Sequence, residues 1–280
     1  MKNKLYMAAI ASLFFASIAQ GRDTGNSATA PEIVHFENRT LTLGGDLYKP
    51  AGNGPFPAVL YNHGSASGMW SSEASRALGP LFASRGWVFF MPYRRGQGLS
   101  AKAGPYISDE IAAAQRRGGM SEAVATLVRL HSTDHLQDQL AGLQWLKAQS
   151  FVQVNQIAVA GQSFGGIQTV LGVAAYPYCA AVDAAGGAES WSKAAALKDV
   201  MKTAVKSAQA PIFFFQAEND YDLAPSKTLY AEMQQAGKTA EMKIYPPFGK
   251  SEKDGHSFSY RGSDIWFEDV FSFLSKNCLK

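Results

Sequence analysis

The sequence predicts an α/β fold in which a mostly parallel sheet carries helices on both faces. Six apolar runs of strand length alternate with helical patterns, and the runs cover residues 58–61, 88–91, 157–160, 180–184, 212–215 and 242–245. Unbroken apolar runs of this length are typical of strands buried on both faces. A β-rich stretch at 33–49, turning at Gly44-Gly45, predicts an opening hairpin. Strands that alternate with helices indicate a parallel sheet, whose functional sites lie beyond the carboxyl ends of the strands.

Boundary signals place three of the helices. A first helix over 73–84 is predicted to end at Gly86, a residue that suits a helix C-terminus. A second is predicted to begin at Asp134, with Gln137 three residues on completing a capping box. A third covers 263–274 and turns its apolar side chains inward, namely Trp266, Phe267, Val270 and Leu274.

The N-terminus predicts export. Residues 1–19 contain two lysines, then an uncharged apolar run over 5–19 that ends in small residues, which is the layout of a signal peptide. The alternative, a membrane anchor, would need roughly 20 apolar residues. We expect a flexible leader at 20–31 and a catalytic domain at 32–280 in a periplasmic or secreted protein with no lasting membrane anchor.

The net charge indicates no nucleic-acid partner. Removing 1–19 takes away two lysines and no acid, so the formal charge falls from +3 to +1.

The two cysteines, Cys179 and Cys278, leave two possibilities open. An exported chain with an even number of cysteines can form a disulfide. Two buried free thiols are the alternative, because cysteine is among the most buried residue types.

The segment Gly161-Gln162-Ser163-Phe164-Gly165 indicates a nucleophile. It directly follows a predicted strand and directly precedes a predicted helix, and this context makes the G-x-S-x-G match specific. A sharp strand-to-helix turn would lift the hydroxyl of Ser163 above the sheet at a helix N-terminus, where the backbone N–H of Phe164 can stabilise an oxyanion. A serine that merely caps the helix is the alternative.

A serine nucleophile needs a base, and His256 is the predicted one. It is the histidine that follows the elbow, in a loop between the last strand and the last helix, as the chain order Ser, Asp, His requires. For the acid that orients it we predict Asp220, a few residues beyond the strand at 212–215. Asp222 is the next choice, followed by Glu218 and Asp183.

A second oxyanion donor is expected in the loop after the strand at 58–61. The loop is rich in glycine, which lets the backbone approach a substrate closely. We predict the backbone N–H of Ser65 as the donor, with that of Ala66 as the alternative. His63 in the same loop is expected to stabilise it by hydrogen bonding.

Two further pairs are expected to have no catalytic role. His131 and His135 have a zinc-compatible spacing, but the glutamate that usually follows the first histidine is replaced by Ser132, so no metal site is predicted. For Arg94 and Arg95 we favour structural pairing over contact with an anionic substrate.

These features together resemble an α/β-hydrolase of the dienelactone-hydrolase-like group over 47–274, and they also resemble the catalytic domain of prolyl-oligopeptidase-type peptidases. The resemblance rests on the elbow, the His63-Gly64 loop, the Asp220 loop, the Gly255-His256 loop and the segment Met91-Pro-Tyr-Arg-Arg-Gly-Gln-Gly-Leu. It implies the α/β-hydrolase fold with an eight-stranded sheet, no separate lid domain, and hydrolysis of a small acyl substrate without a cofactor. Dienelactone hydrolase itself carries a cysteine nucleophile where Ser163 stands, so we do not expect activity on dienelactones. We expect a carboxylic ester as substrate. Short peptides or amides are the alternative.

Overall fold

A computed structural model describes residues 30–65 and 72–279. The predicted signal peptide, most of the predicted leader and Ala66 lie outside these residues. The described chain forms one eight-stranded sheet in the order β1-β2-β4-β3-β5-β6-β7-β8. In it β2 runs antiparallel to both of its neighbours, β1 and β4, and all neighbours from β4 to β8 are parallel. The predicted α/β fold is confirmed. The strands are β1 Glu32–Asn38, β2 Leu41–Tyr48, β3 Phe56–Asn62, β4 Val88–Pro92, β5 Val152–Gln162, β6 Ala181–Ala184, β7 Ile212–Ala217 and β8 Ala240–Tyr245.

Helices separate most of the strands. They are α1 Glu73–Ser84, α2 Ile107–Ser132, α3 Asp134–Lys147, α4 Phe164–Ala175, α5 Ala195–Ser207, α6 Ala224–Gln235, α7 Glu252–His256, α8 Phe258–Arg261 and α9 Ser263–Cys278, with a short 3₁₀ helix at Gly98–Ala103. The four side chains predicted to face inward from the last helix are buried. No helix among residues 30–65 and 72–279 is both long and apolar enough to cross a membrane.

Each face of the sheet has its own apolar core. Because side chains alternate along a strand, Leu60 of β3 belongs to one core and Val59 to the other. The first core packs against α2 to α6, and the second packs against α1, α8 and α9. Helices therefore cover both faces, and the functional loops are left at the carboxyl edge of the strands.

Gly86 ends α1 as the sequence predicts. Its φ is 80°, a region that favours glycine. The N–H of Gly86 donates to the carbonyl of Ala83, and the N–H of Trp87 donates to that of Phe82. This pair of bonds is a Schellman motif, which satisfies carbonyls that the helix end would otherwise leave unpaired.

The predicted capping box at Asp134 is wrong. Helix α2 runs to Ser132, so Thr133 alone separates it from α3 and takes the N-cap position, while Asp134 is already helical. The carboxylate of Asp134 lies 3.3 Å from the guanidinium of Arg95 instead of bonding backbone N–H groups. The sequence pattern at 134–137 does not show that α3 takes Thr133 as its N-cap and already includes Asp134 in its first turn.

A disulfide joins Cys179, just before β6, to Cys278 at the end of α9. Of the two possibilities that the sequence leaves open, the structure has the bridge. It lies where β6 begins, at the edge of the sheet opposite the carboxyl ends of the strands.

Candidate active site

Ser163 lies in a strained turn between β5 and α4. Its φ of 57° and ψ of −120° are unusual for a residue with a side chain. A methyl group at Gly165 would overlap the carbonyl of Asn62, and one at Gly161 would overlap the carbonyl of Gly165. The glycines on either side of Ser163 therefore allow the close packing that this turn requires, as expected of a nucleophile elbow.

His256 is the last residue of α7, a short helix held by a capping box between Ser251 and Asp254. Its Nδ1 lies 2.8 Å from Oδ1 of Asp220, in the loop after β7. A carboxylate accepts hydrogen bonds, so this contact puts the proton on Nδ1 and leaves Nε2 with a lone pair. His256 therefore has the tautomer that a general base needs.

Further hydrogen bonds fix the carboxylate of Asp220. Its Oδ1 also accepts from the N–H of Tyr221 at 2.7 Å, and its Oδ2 accepts from Nε2 of Gln216 at 3.0 Å. The side chain of Asp220 is 1% exposed and that of His256 13% exposed. This setting holds the pair in one geometry and shields it from water.

The three alternative acids lie elsewhere. Asp222 accepts the N–H of Ala224 at the start of α6, and Glu218 is exposed. Asp183 is buried and accepts the N–H of Gly186 at 2.9 Å. Burial raises the pKa of Asp183 to about 7. Of the four candidates, Asp220 is the one whose carboxylate contacts His256.

One cavity of about 620 Å³ brings together Ser163, His256 and Ser65. Its walls carry acidic side chains, those of Glu73, Glu189 and Asp254, and basic side chains, those of Lys253 and Arg261. Ala74 is the one aliphatic side chain among the described lining residues. Glu73 and Arg261 pair with each other through two hydrogen bonds of 2.9 and 3.0 Å. The described lining therefore offers a ligand both charged and hydroxyl groups.

The loop after β3 forms one side of this cavity. Ser65 and Gly64 line it, and the hydroxyl of Ser65 lies 2.9 Å from that of Tyr106. His63 is buried, and its Nδ1 donates to the carbonyl of Gly64 at 2.7 Å. Burial and the charge of Arg94 hold the pKa of His63 well below its usual value. His63 thus has the structural place in the loop that the sequence predicts.

Gln162 is a site residue that the sequence reasoning missed. Its Nε2 donates to the backbone carbonyl of His256 at 3.0 Å, and its Oε1 lies against Gly64. The amide of Gln162 thus links the elbow to His256 by a hydrogen bond and packs against the loop after β3. No sequence signal points to it, because Gln162 occupies a variable position of the G-x-S-x-G pattern.

The remaining predicted pairs are not themselves among the residues that line the cavity. His131 and His135 are buried with their ring centroids 5.9 Å apart. Within the described ranges no group of three or more His, Cys, Asp or Glu residues is placed to hold a metal ion. Burial lowers the pKa of His131 to about 3 and depresses that of His135 as well. Arg95 forms the predicted structural pair, with Nη2 2.7 Å from the carboxylate of Asp138.

The fold and the elbow define this protein as an α/β-hydrolase. The model of the dienelactone hydrolase family matches residues 43–273. The chain belongs to the dienelactone hydrolase family, and it is a hydrolase.

Peptidases are among the solved structures with a similar fold. Acylaminoacyl peptidase from Pyrococcus horikoshii aligns with a TM-score of 0.65 and 19% identity, over 89% of this chain and 42% of that one. A putative dipeptidyl aminopeptidase IV from Bacteroides ovatus aligns with a TM-score of 0.64 and 18% identity, over 89% of this chain and 36% of that one. Dipeptidyl peptidase 4 from Porphyromonas gingivalis aligns with a TM-score of 0.62 and 18% identity, over 88% of this chain and 35% of that one. This chain therefore spans less than half the length of each of these peptidases, and the likeness shows the fold alone.

Proposed function

We propose that this protein is a serine esterase that hydrolyses short, polar carboxylic esters through an acyl-enzyme. The observation that carries the proposal is the 2.8 Å bond between His256 and the buried Asp220, with His256 and Ser163 lining the same cavity. An oriented imidazole beside an elbow serine is the arrangement that activates a hydroxyl.

In the proposed reaction, Oγ of Ser163 attacks the ester carbonyl while Nε2 of His256 takes its proton. The carbonyl oxygen becomes an oxyanion bound by the backbone N–H groups of Ser65 and Phe164. The C–O bond to the alcohol then breaks, and His256 returns the proton to the leaving oxygen. Water, deprotonated by His256, attacks the acyl carbonyl. The bond between the acyl carbon and Oγ of Ser163 then breaks, His256 returns the proton to Oγ, and the acid is released. Asp220 stabilises the imidazolium throughout.

The cavity lining supports short and polar substrates. A long acyl chain gains affinity by burying each CH₂ against apolar walls, at about 0.8 kcal/mol per group. Most of the described lining residues carry a charged or hydroxyl group, and none of them is a large aliphatic residue. The proposed function therefore predicts that kcat/KM does not rise with each CH₂ added to the acyl chain.

A panel of p-nitrophenyl esters of rising acyl length tests the proposal. Ser163→Ala and His256→Gln are expected to lose at least about 10³-fold in kcat. The exposed Ser192 and His35 offer matched controls, since Ser192→Ala and His35→Gln remove the same groups from residues that do not line the cavity. Comparable turnover by Ser163→Ala and the wild type would refute the assignment. Faster turnover of a matched amide than of its ester would favour a peptidase.

We also propose that the protein is exported. The pattern in residues 1–19 supports this, and a disulfide is typical of proteins that fold in an oxidising compartment. Cell fractionation of the full chain beside a variant that lacks residues 1–19 tests it. Equal recovery of both proteins in the cytoplasm would contradict export.

A further inference from the structure

Arg94 is a buried cation that the proposed mechanism leaves without a role. It follows β4 by two positions and is 4% exposed. Within residues 30–65 and 72–279, no carboxylate forms an ion pair with it. The charge of Asp138 acts on Arg94, but its two carboxylate oxygens are bonded by Arg95 and Asn38. Burying an arginine without a paired acid costs free energy, so its place in the interior calls for a function.

The guanidinium of Arg94 binds the loop that carries the predicted oxyanion donor. Its Nη1 donates to the carbonyl of His63 at 2.7 Å, and its Nη2 donates to the carbonyl of Gly64 at 2.9 Å and to Oε1 of Gln97 at 3.1 Å. Strands β3 and β4 are parallel neighbours, so the residues that follow them meet at the same edge of the sheet. Arg94 therefore fixes two successive carbonyls just before Ser65.

The geometry of the peptide bond carries this constraint to Ser65. The carbonyl of Gly64 and the N–H of Ser65 belong to one planar trans peptide, in which the two groups point in opposite directions. Because Arg94 and Nδ1 of His63 both hold the carbonyl of Gly64, the N–H of Ser65 must point away from Arg94. Gly64 and Ser65 line the cavity that contains Ser163.

Arg94 also acts through its charge. Burial lowers the pKa of Arg94 to about 10, so that it stays protonated at neutral pH. A cation bonded to a peptide carbonyl draws electron density towards the oxygen and makes the N–H of the same peptide a stronger donor. That N–H is the one that Ser65 would offer to an oxyanion.

We propose that Arg94 is a positioning residue that orients and polarises the Gly64–Ser65 peptide, so that the N–H of Ser65 stabilises the oxyanion. The inference rests on the proposed function, since it concerns the same acyl transfer. It predicts that loss of Arg94 raises the barrier to the chemical step and leaves ground-state binding of the ester nearly unchanged.

Arg94→Met, Arg94→Lys and the control Arg95→Met test this proposal. Arg95 is the neighbouring arginine, and its ion pair with Asp138 is structural. For each variant we would measure active-site concentration by burst titration, then kcat per active site, KM, and the Ki of a trifluoromethyl ketone that adds to Ser163 as a tetrahedral oxyanion. Deleting an oxyanion donor costs about 10²- to 10³-fold in kcat, so we expect about 10- to 100-fold for Arg94→Met.

The proposal predicts that kcat and Ki change together. In Arg94→Met, Ki rises by about the same factor as kcat falls, while KM stays within about threefold. Arg95→Met melts at a lower temperature but keeps its kcat per active site. If Arg94→Met does not fold, Arg94→Lys carries the test, with a smaller loss and the same joint change. A kcat per active site within about threefold of wild type in the folded Arg94 variants overturns the proposal. Activity retained by Ser163→Ala would instead overturn the proposed function.

Discussion

Reducing the disulfide between Cys179 and Cys278 is expected to lower the free energy of unfolding by about 3 to 5 kcal/mol. The two cysteines are 99 residues apart in the chain. Cross-linking a loop of this length removes conformational entropy from the unfolded chain worth about 4.7 kcal/mol at 25 °C. For a protein of this size, a loss of about 3 to 5 kcal/mol corresponds to a decrease in melting temperature of about 6 to 20 °C.

Urea unfolding followed by circular dichroism measures this effect. Three samples are compared, namely the oxidised wild type, the wild type in a phosphine reductant and the Cys179→Ala/Cys278→Ala double variant. The reduced wild type isolates the cross-link, because both sulfur atoms remain. Ester turnover at 20 °C should stay unchanged, since the bridge lies at the sheet edge opposite Ser163. A difference below about 1 kcal/mol in both reduced and double-variant protein would refute the entropic reasoning.

Three other substitutions have defined outcomes. Asp183→Asn is expected to stabilise the protein above pH 7 by up to about 4 kcal/mol and to have little effect near pH 4. Burial raises the pKa of Asp183 from 3.8 to about 7, so the wild type loses stability as the pH rises through this window. Urea midpoints from about pH 4 to 8 measure this loss, and an equal loss in the variant would contradict the prediction. Gln162→Leu should lower kcat about 10-fold at an unchanged active-site concentration, because leucine cannot donate to the carbonyl of His256. A wild-type kcat would show that Gln162 does not position His256. Gly165→Ala should abolish folding or activity, since its methyl group overlaps the carbonyl of Asn62, and a variant with wild-type melting and turnover would count against the elbow geometry.

Local patterns predict most of the elements. The helix at 73–84 has the predicted bounds, and its end at Gly86 depends on one glycine. Each of the six apolar runs overlaps an observed strand. Such elements are predictable because hydrophobic period and turn residues act over a few positions. The capping error at Asp134 arises where a second helix abuts the first, which local patterns do not show.

The roles of Gln162 and Arg94 could not be read from the sequence. Gln162 contacts the carbonyl of a residue 94 positions away. Arg94 binds carbonyls about 30 positions away, next to an arginine that pairs with Asp138 in the ordinary way. Nothing in their immediate sequence distinguishes these side chains from surface residues, because their partners are brought close by the pairing of β3 with β4 and by the loop after β8.

The sequence by itself determined the parallel α/β architecture, the elbow at Ser163 and the choice of His256, since each depends on residue type, spacing and chain order. Only the tertiary structure decided that Asp220 contacts His256, that Cys179 bonds Cys278, and that a buried arginine holds the loop before Ser65. The physical reason is that these contacts join segments far apart in the chain, and their distances are fixed by how strands pair and helices pack on the two faces of the sheet.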